Sequence, residues 1–174
     1  EYVDAAKAIR RICPECEFQL LGNIDPDYPN HVPEQQVLKD QKEGHIRYLE
    51  YHPDVLPYIQ QADCIVLPSY HEGLSRVLME GLAMGKPIIT TDIPGCRETV
   101  TDGKRGYTIR GRDKASLIEA VKKFLSLSYT DREEMGSYGR RMAEEVFDIQ
   151  EVVKIYKRIT DRLLTGGCER RSKS

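Results

Sequence analysis

The chain has 174 residues, 40% of them apolar, with 26 Lys and Arg set against 28 Asp and Glu. That length builds one domain with a real core, and a net charge of −2 without a concentrated basic face speaks against a nucleic-acid binder. No apolar run approaches the roughly 20 residues that span a bilayer, and no secretory pattern opens the sequence.

Val3, Ala6, Ala8, Ile9 and Ile12 recur at near-helical intervals and predict a helix over 2–13. Residues 18–22 read as a strand ending in glycine, 23–33 as a polar, Pro-containing loop, and 34–43 as a charged surface helix. A second strand is predicted over 46–50. Asp54 is placed to cap a short helix to Ala62, with Pro57 in its first turn. Residues 64–68 have the apolar pattern of a buried strand. A helix over 74–84 follows, closed by Gly85 and then Pro87. Residues 87–91 form the next strand, Asp92 to Gly95 a turn, 97–101 a brief helix and 106–109 a short strand. Three helices finish the chain: 114–127 capped by Asp113, one opening on a Thr130-Asp131-Arg132-Glu133 capping box, and one starting near Asp148. The last two cover about 130–164, and 165–174 is a tail whose basic end, Arg170 to Ser174, reads as frayed.

Strands separated by helices of this length predict an α/β fold, a Rossmann-like open parallel sheet with helices on both faces. No repeat or long linker divides it, so 1–174 is read as one domain. The alternation starts on a helix, which leads us to expect that a first strand and its following loop precede Glu1.

Five cysteines exclude a complete disulfide framework. Cys13-Pro14-Glu15-Cys16 has no second pair to complete a zinc site. It also follows a helix, where the dipole opposes a thiolate, so reduced structural cysteines are expected there and at Cys64. The four histidines are scattered and Asp-x-Asp is absent, so no metal is assigned. Neither G-x-x-x-x-G-K-[ST] nor G-x-G-x-x-G occurs, which argues against a P-loop enzyme and a standard dinucleotide site. Ser69, His71 and Glu72 are hydrolase residue types, but sequence neighbours do not make a triad and no G-x-S-x-G is present.

The informative stretch runs from His71 to Pro87. Glu72 sits in the loop after a predicted parallel strand, beside Gly73 and a helix start at Gly73-Leu74-Ser75. Ligands bind at that end of open α/β sheets. A helix N-terminus suits phosphate, and a carboxylate suits paired sugar hydroxyls. Gly73 lets backbone approach a ligand closely; His71 is placed to bond a phosphate or sugar oxygen. Glu80 shares the only polar stripe of an otherwise apolar helix with Arg76. It reads either as an exposed ion pair or as a ligand for ribose hydroxyls, and the helix alone leaves both open.

Residues 62–87, with their Glu-x7-Glu spacing, resemble the C-terminal domain of retaining group 4 glycosyltransferases of the GT-B fold. Pro94-Gly95-Cys96-Arg97-Glu98-Thr99-Val100, Asp102-Gly103 and Gly106 extend the likeness. The resemblance implies that Glu72 contacts the transferred sugar as the catalytic carboxylate. It implies that backbone N–H groups at Gly73, Leu74 and Ser75, with His71, help hold sugar and diphosphate, and that Glu80 binds ribose. Tyr48 and Tyr51 would stack beside the base. It further implies a nucleotide-sugar donor, a UDP-sugar by analogy with capsule and O-antigen enzymes, and a glycan or lipid-linked acceptor. No cofactor, metal, nucleic acid or direct membrane contact is implied, and the location would be cytoplasmic, peripheral to the inner membrane face at most. The family's diphosphate-binding Arg and Lys and its acceptor domain would lie upstream, so the chain alone should bind donor weakly and transfer nothing. A sugar-nucleotide epimerase of the same architecture, a nucleotide-sugar sensor and a plain interaction domain are the competing readings.

Overall fold

The structure is a computed structural model that describes residues 1–27 and 31–166. Residues 28–30 of the predicted loop and the basic end of the tail lie outside the described residues. The elements follow the predicted alternation: α1 (Tyr2–Arg10), β1 (Gln19–Leu20), α2 (Glu34–Lys42), β2 (Arg47–Tyr48), α3 (Leu56–Gln61), β3 (Ile65–Leu67) and α4 (Arg76–Ala83). After these come β4 (Ile88–Thr91), a 3-10 turn (Arg97–Thr99), β5 (Gly106–Ile109), α5 (Lys114–Ser126), α6 (Tyr129–Val146) and α7 (Ile149–Gly166). Among the described residues, no helix is long and apolar enough to cross a membrane.

All strand pairings are parallel, in a two-stranded sheet β1-β2 and a three-stranded sheet β3-β4-β5. Period-two alternation explains the layers. Ile89 and Val66 face one core with Ala5, Ala6 and Ile9 of α1 and Leu117, Val121 and Phe124 of α5. Ile88, Ile65 and Leu67 face the other, with Leu78 and Leu82 of α4 and Ala143 of α6. Helices therefore cover both faces, as the sequence pattern predicts.

Several boundaries move. β3 is half-buried throughout, not fully buried, because β4 pairs with only one of its edges and no described strand takes the other. Cys64 shares that partial exposure, although burial of its sulfur, aided by the Asp63 charge, pushes its thiol pKa up. β1 has an open edge too. β2 uses the Phe18 and Leu20 carbonyls, and the Tyr2 hydroxyl donates to the intervening Gln19 carbonyl at 2.7 Å. The capping box before α6 is made by Ser128 and Asp131, two residues earlier than predicted. Asp113 caps α5 as expected, accepting from the Ala115 and Ser116 amides.

The predicted surface helix α2 carries an unforeseen buried charge. Asp40 is 3% exposed. Lys7 of α1 pairs with it at 2.7 Å, Gln36 donates at 2.8 Å, and the His45 ring lies 3.3 Å away. Burial alone would raise this carboxyl, but those three partners outweigh it and hold the pKa at about 2. Asp40, Glu43 and His45 also form a group with metal-ligand geometry, in which the Lys7 ammonium already neutralises Asp40. The folded pKa lies below the ordinary value, so the folded state holds this proton less tightly than the unfolded one. The stabilisation is complete above about pH 5 and fades as pH falls towards 2. Urea unfolding between about pH 6 and pH 2 should show the wild type losing about 2 kcal/mol more than Asp40→Asn; equal acid slopes would contradict this.

Candidate functional site

The loops after β3, β4 and β5 leave the same end of a parallel sheet, so their residues converge. The β3–α4 loop carries His71, Glu72, Gly73 and Leu74. His71, Gly73 and Leu74 are exposed and Glu72 is half-buried. The Ser69 hydroxyl donates to the His71 carbonyl at 3.1 Å, which orders the loop entry. The helix begins two residues later than predicted. Ser75 is its N-cap, extended at φ −69° and ψ 113° and 3% exposed, with its N–H donated to the Gly95 carbonyl at 3.3 Å. Glu72, Gly73 and Leu74 thus precede the helix. Glu80 is its fifth residue, about one turn in.

Gly95 belongs to the β4 loop and has φ +87°. A Cβ there would lie 1.5 Å from the Gly73 carbonyl oxygen and 2.6 Å from that of Glu72. Only glycine permits this backbone-on-backbone contact, and it fixes the Glu72 loop against the neighbouring strand's exit. Arg97 braces the same turn, pairing with the Asp92 carboxylate at 3.0 Å and donating to its carbonyl at 3.1 Å. Cys96 lies beneath, fully buried. Burial raises its thiol pKa against an opposing hydrogen bond with Thr90, and the Glu72 and Glu98 charges add to the rise.

Glu80 keeps both of its sequence-based readings in view. Its Oε1 accepts from Arg76 Nε at 2.8 Å, while its side chain is 21% exposed against 88% for Arg76. An exposed guanidinium covering a sheltered carboxylate is a weak pair that polar hydroxyls can exchange. Tyr48 closes β2 and Tyr51 lies in the loop that follows it. The Tyr48 ring packs against the core, and its hydroxyl donates to the Gly22 carbonyl at 3.0 Å. Tyr51 is 60% exposed. No hydrogen bond or ring contact among the described residues joins either tyrosine to the 72–75 loop.

Two rim residues escaped the sequence reading. The Tyr70 hydroxyl donates to the Glu1 carboxylate at 2.7 Å, and the Arg112 guanidinium lies 5.2 Å from the Tyr70 ring centre. Arg112 has φ +57°, so the chain turns sharply there before α5. A concavity of about 420 Å³ along β5 and α5, lined by Asp92, Asp102, Arg110, Glu119 and Lys123, contains none of the predicted site residues.

The chain has relatives among known proteins. The family described as Glycosyl transferases group 1 matches residues 2–126. The chain belongs to that family. The capsular polysaccharide biosynthesis glycosyltransferase CapM of Staphylococcus aureus is 24% identical over 131 residues, 75% of this chain and 34% of that protein. The N,N'-diacetylbacillosaminyl-diphospho-undecaprenol alpha-1,3-N-acetylgalactosaminyltransferase of Campylobacter jejuni is 25% identical over 166 residues, 94% of this chain and 41% of that protein. The solved structure of Anabaena Alr3699/HepE in complex with UDP superposes with a TM-score of 0.76 at 21% identity, covering 95% of this chain and 45% of that one. That likeness shows the fold: this group 1 chain has the architecture of one half of a GT-B glycosyltransferase. It spans less than half the length of these relatives.

Proposed function

We propose that this chain is the donor-binding part of a retaining hexosyltransferase that takes its sugar from a nucleotide diphosphate sugar, a UDP-sugar by class. The observation that carries the reading is the Glu72–Ser75 segment, held rigidly by Gly95 at the exit of a parallel sheet, with Glu80 on the helix it leads into. The first carboxylate suits hydroxyls of the transferred sugar and the second suits ribose. Between them, backbone N–H groups at Gly73 and Leu74 and the α4 N-terminus suit the diphosphate, while the Ser75 amide, expected to share that role, is given to the Gly95 carbonyl and anchors the segment. His71 stands beside that bridge, and Tyr51 is the exposed ring on offer to the base. A related structure was solved with UDP-glucose, which supports the choice of nucleotide.

Sugar transfer of this kind passes through an oxocarbenium-like transition state while the leaving diphosphate gains negative charge. Donors aimed at that charge lower the barrier. The reading assigns no metal to the site, and it leaves the acceptor, a glycan or lipid-linked glycan as the relatives' names indicate, to residues outside this chain. The donor-bound chain by itself should therefore transfer nothing.

Gly73 provides the test. A Cβ there meets nothing within 4 Å, so the fold does not demand glycine at this position. Gly73→Ala in the full-length protein should leave the melting temperature within about 2 °C of wild type. It should weaken UDP-glucose binding about tenfold in calorimetric titration, because the methyl group stands where the ligand approaches. Unchanged affinity would contradict the placement of the donor.

A further inference from the structure

The β4 loop does more than touch the Glu72 segment. The Glu98 carboxylate accepts the Gly95 N–H at 2.7 Å. The Gly95 carbonyl accepts the Ser75 N–H at 3.3 Å. The Gly95 Cα sits directly on the Gly73 carbonyl. Glu98 thus holds Gly95 by its N–H, and the Cα and carbonyl of that same residue meet the two ends of the 73–75 segment, whose Gly73 and Leu74 amides are proposed to hold the diphosphate. We propose that Glu98 is a positioning residue for the amide cradle of Gly73 and Leu74, acting through Gly95 without touching the ligand itself. The inference rests on the donor-site reading above and extends it to a residue on a different loop.

The chemistry sets what to expect. Glu98 lies on the exposed side of the turn, so water can replace its bond to Gly95, and its loss loosens the peptide rather than unfolding the domain. A loosened Gly95 lets the 73–75 segment drift, and hydrogen bonds to a phosphate weaken steeply with misalignment. The nucleoside, held by Glu80 and the loop after β2, lies outside this chain of contacts.

Calorimetric titration of the full-length protein with UDP and with uridine separates the cases. Glu98→Ala should raise the Kd for UDP about tenfold while leaving uridine affinity within about twofold. Glu98→Gln keeps an oxygen acceptor for the Gly95 amide and should restore UDP affinity to within about threefold of wild type. Equal UDP affinity in wild type and Glu98→Ala would overturn the inference, and so would a parallel loss of UDP and uridine. A wild-type protein that binds neither would overturn the donor-site reading, and this inference with it.

Discussion

Glu72→Gln in the full-length protein is expected to lower sugar transfer about 10²–10³-fold while leaving UDP affinity within about threefold. The separation follows from where the side chain stands. Glu72 lies ahead of the α4 N-cap, three residues before Ser75, and is assigned to hydroxyls of the transferred sugar, not to the nucleotide. Its charge-assisted hydrogen bonds tighten as the sugar gains positive character, so they act mainly on the transition state. Glutamine keeps the size and loses the charge. Glu80→Ala should show the opposite split, weakening UDP and uridine alike by about 10–100-fold through lost bonds to ribose. Transfer assays beside calorimetry of UDP read both. Loss of UDP binding in Glu72→Gln, or full transfer by it, would contradict the assignment.

Gly106→Ala carries the largest expected cost to the fold. Gly106 opens β5 opposite Ile88, at φ +148°. A Cβ there would lie 1.7 Å from the Ile88 carbonyl oxygen and 2.6 Å from its carbonyl carbon. Both obstacles are backbone of the fully buried central strand, so no side chain can swing aside. The register at β4-β5 must then part, and Ile109 must leave its core position. We expect a loss of at least about 3 kcal/mol, or about 6–12 °C in melting temperature for a domain of this size. Gly103→Ala is the comparison: its φ is +73° but nothing lies within 4 Å, so only about 1 kcal/mol of backbone strain is expected. Equal melting temperatures for the two variants would show that the β4-β5 contact is softer than described.

The alternation of strands and helices was legible because apolar spacing is a local property. β4, read as a strand over 87–91, forms over Ile88–Thr91 and is buried at all four positions. What local pattern could not show was set by partners far along the chain. Leu74 has the character of an apolar helix residue, yet α4 starts after it because the Ser75 amide is drawn to Gly95. Thr130-x-x-Glu133 reads as a capping box, yet Ser128 and Asp131 are the pair that closes. Asp40 reads as surface charge until Lys7 and His45 are brought over it. At the site, the two carboxylates and Gly73 were visible as residue types at a telling spacing. The clamp on them was not, because a single glycine in a Pro-Gly turn gives no sign of which backbone it will press against.

Backbone-amide NMR of the full-length protein titrated with UDP-glucose tests the central assignment most directly. The largest shifts should fall on Gly73 and Leu74, with smaller ones at Ser75, Glu80 and Gly95 and none over Asp40 to His45. Shifts concentrated along β5 and α5, with the Gly73 and Leu74 amides unmoved, would contradict it.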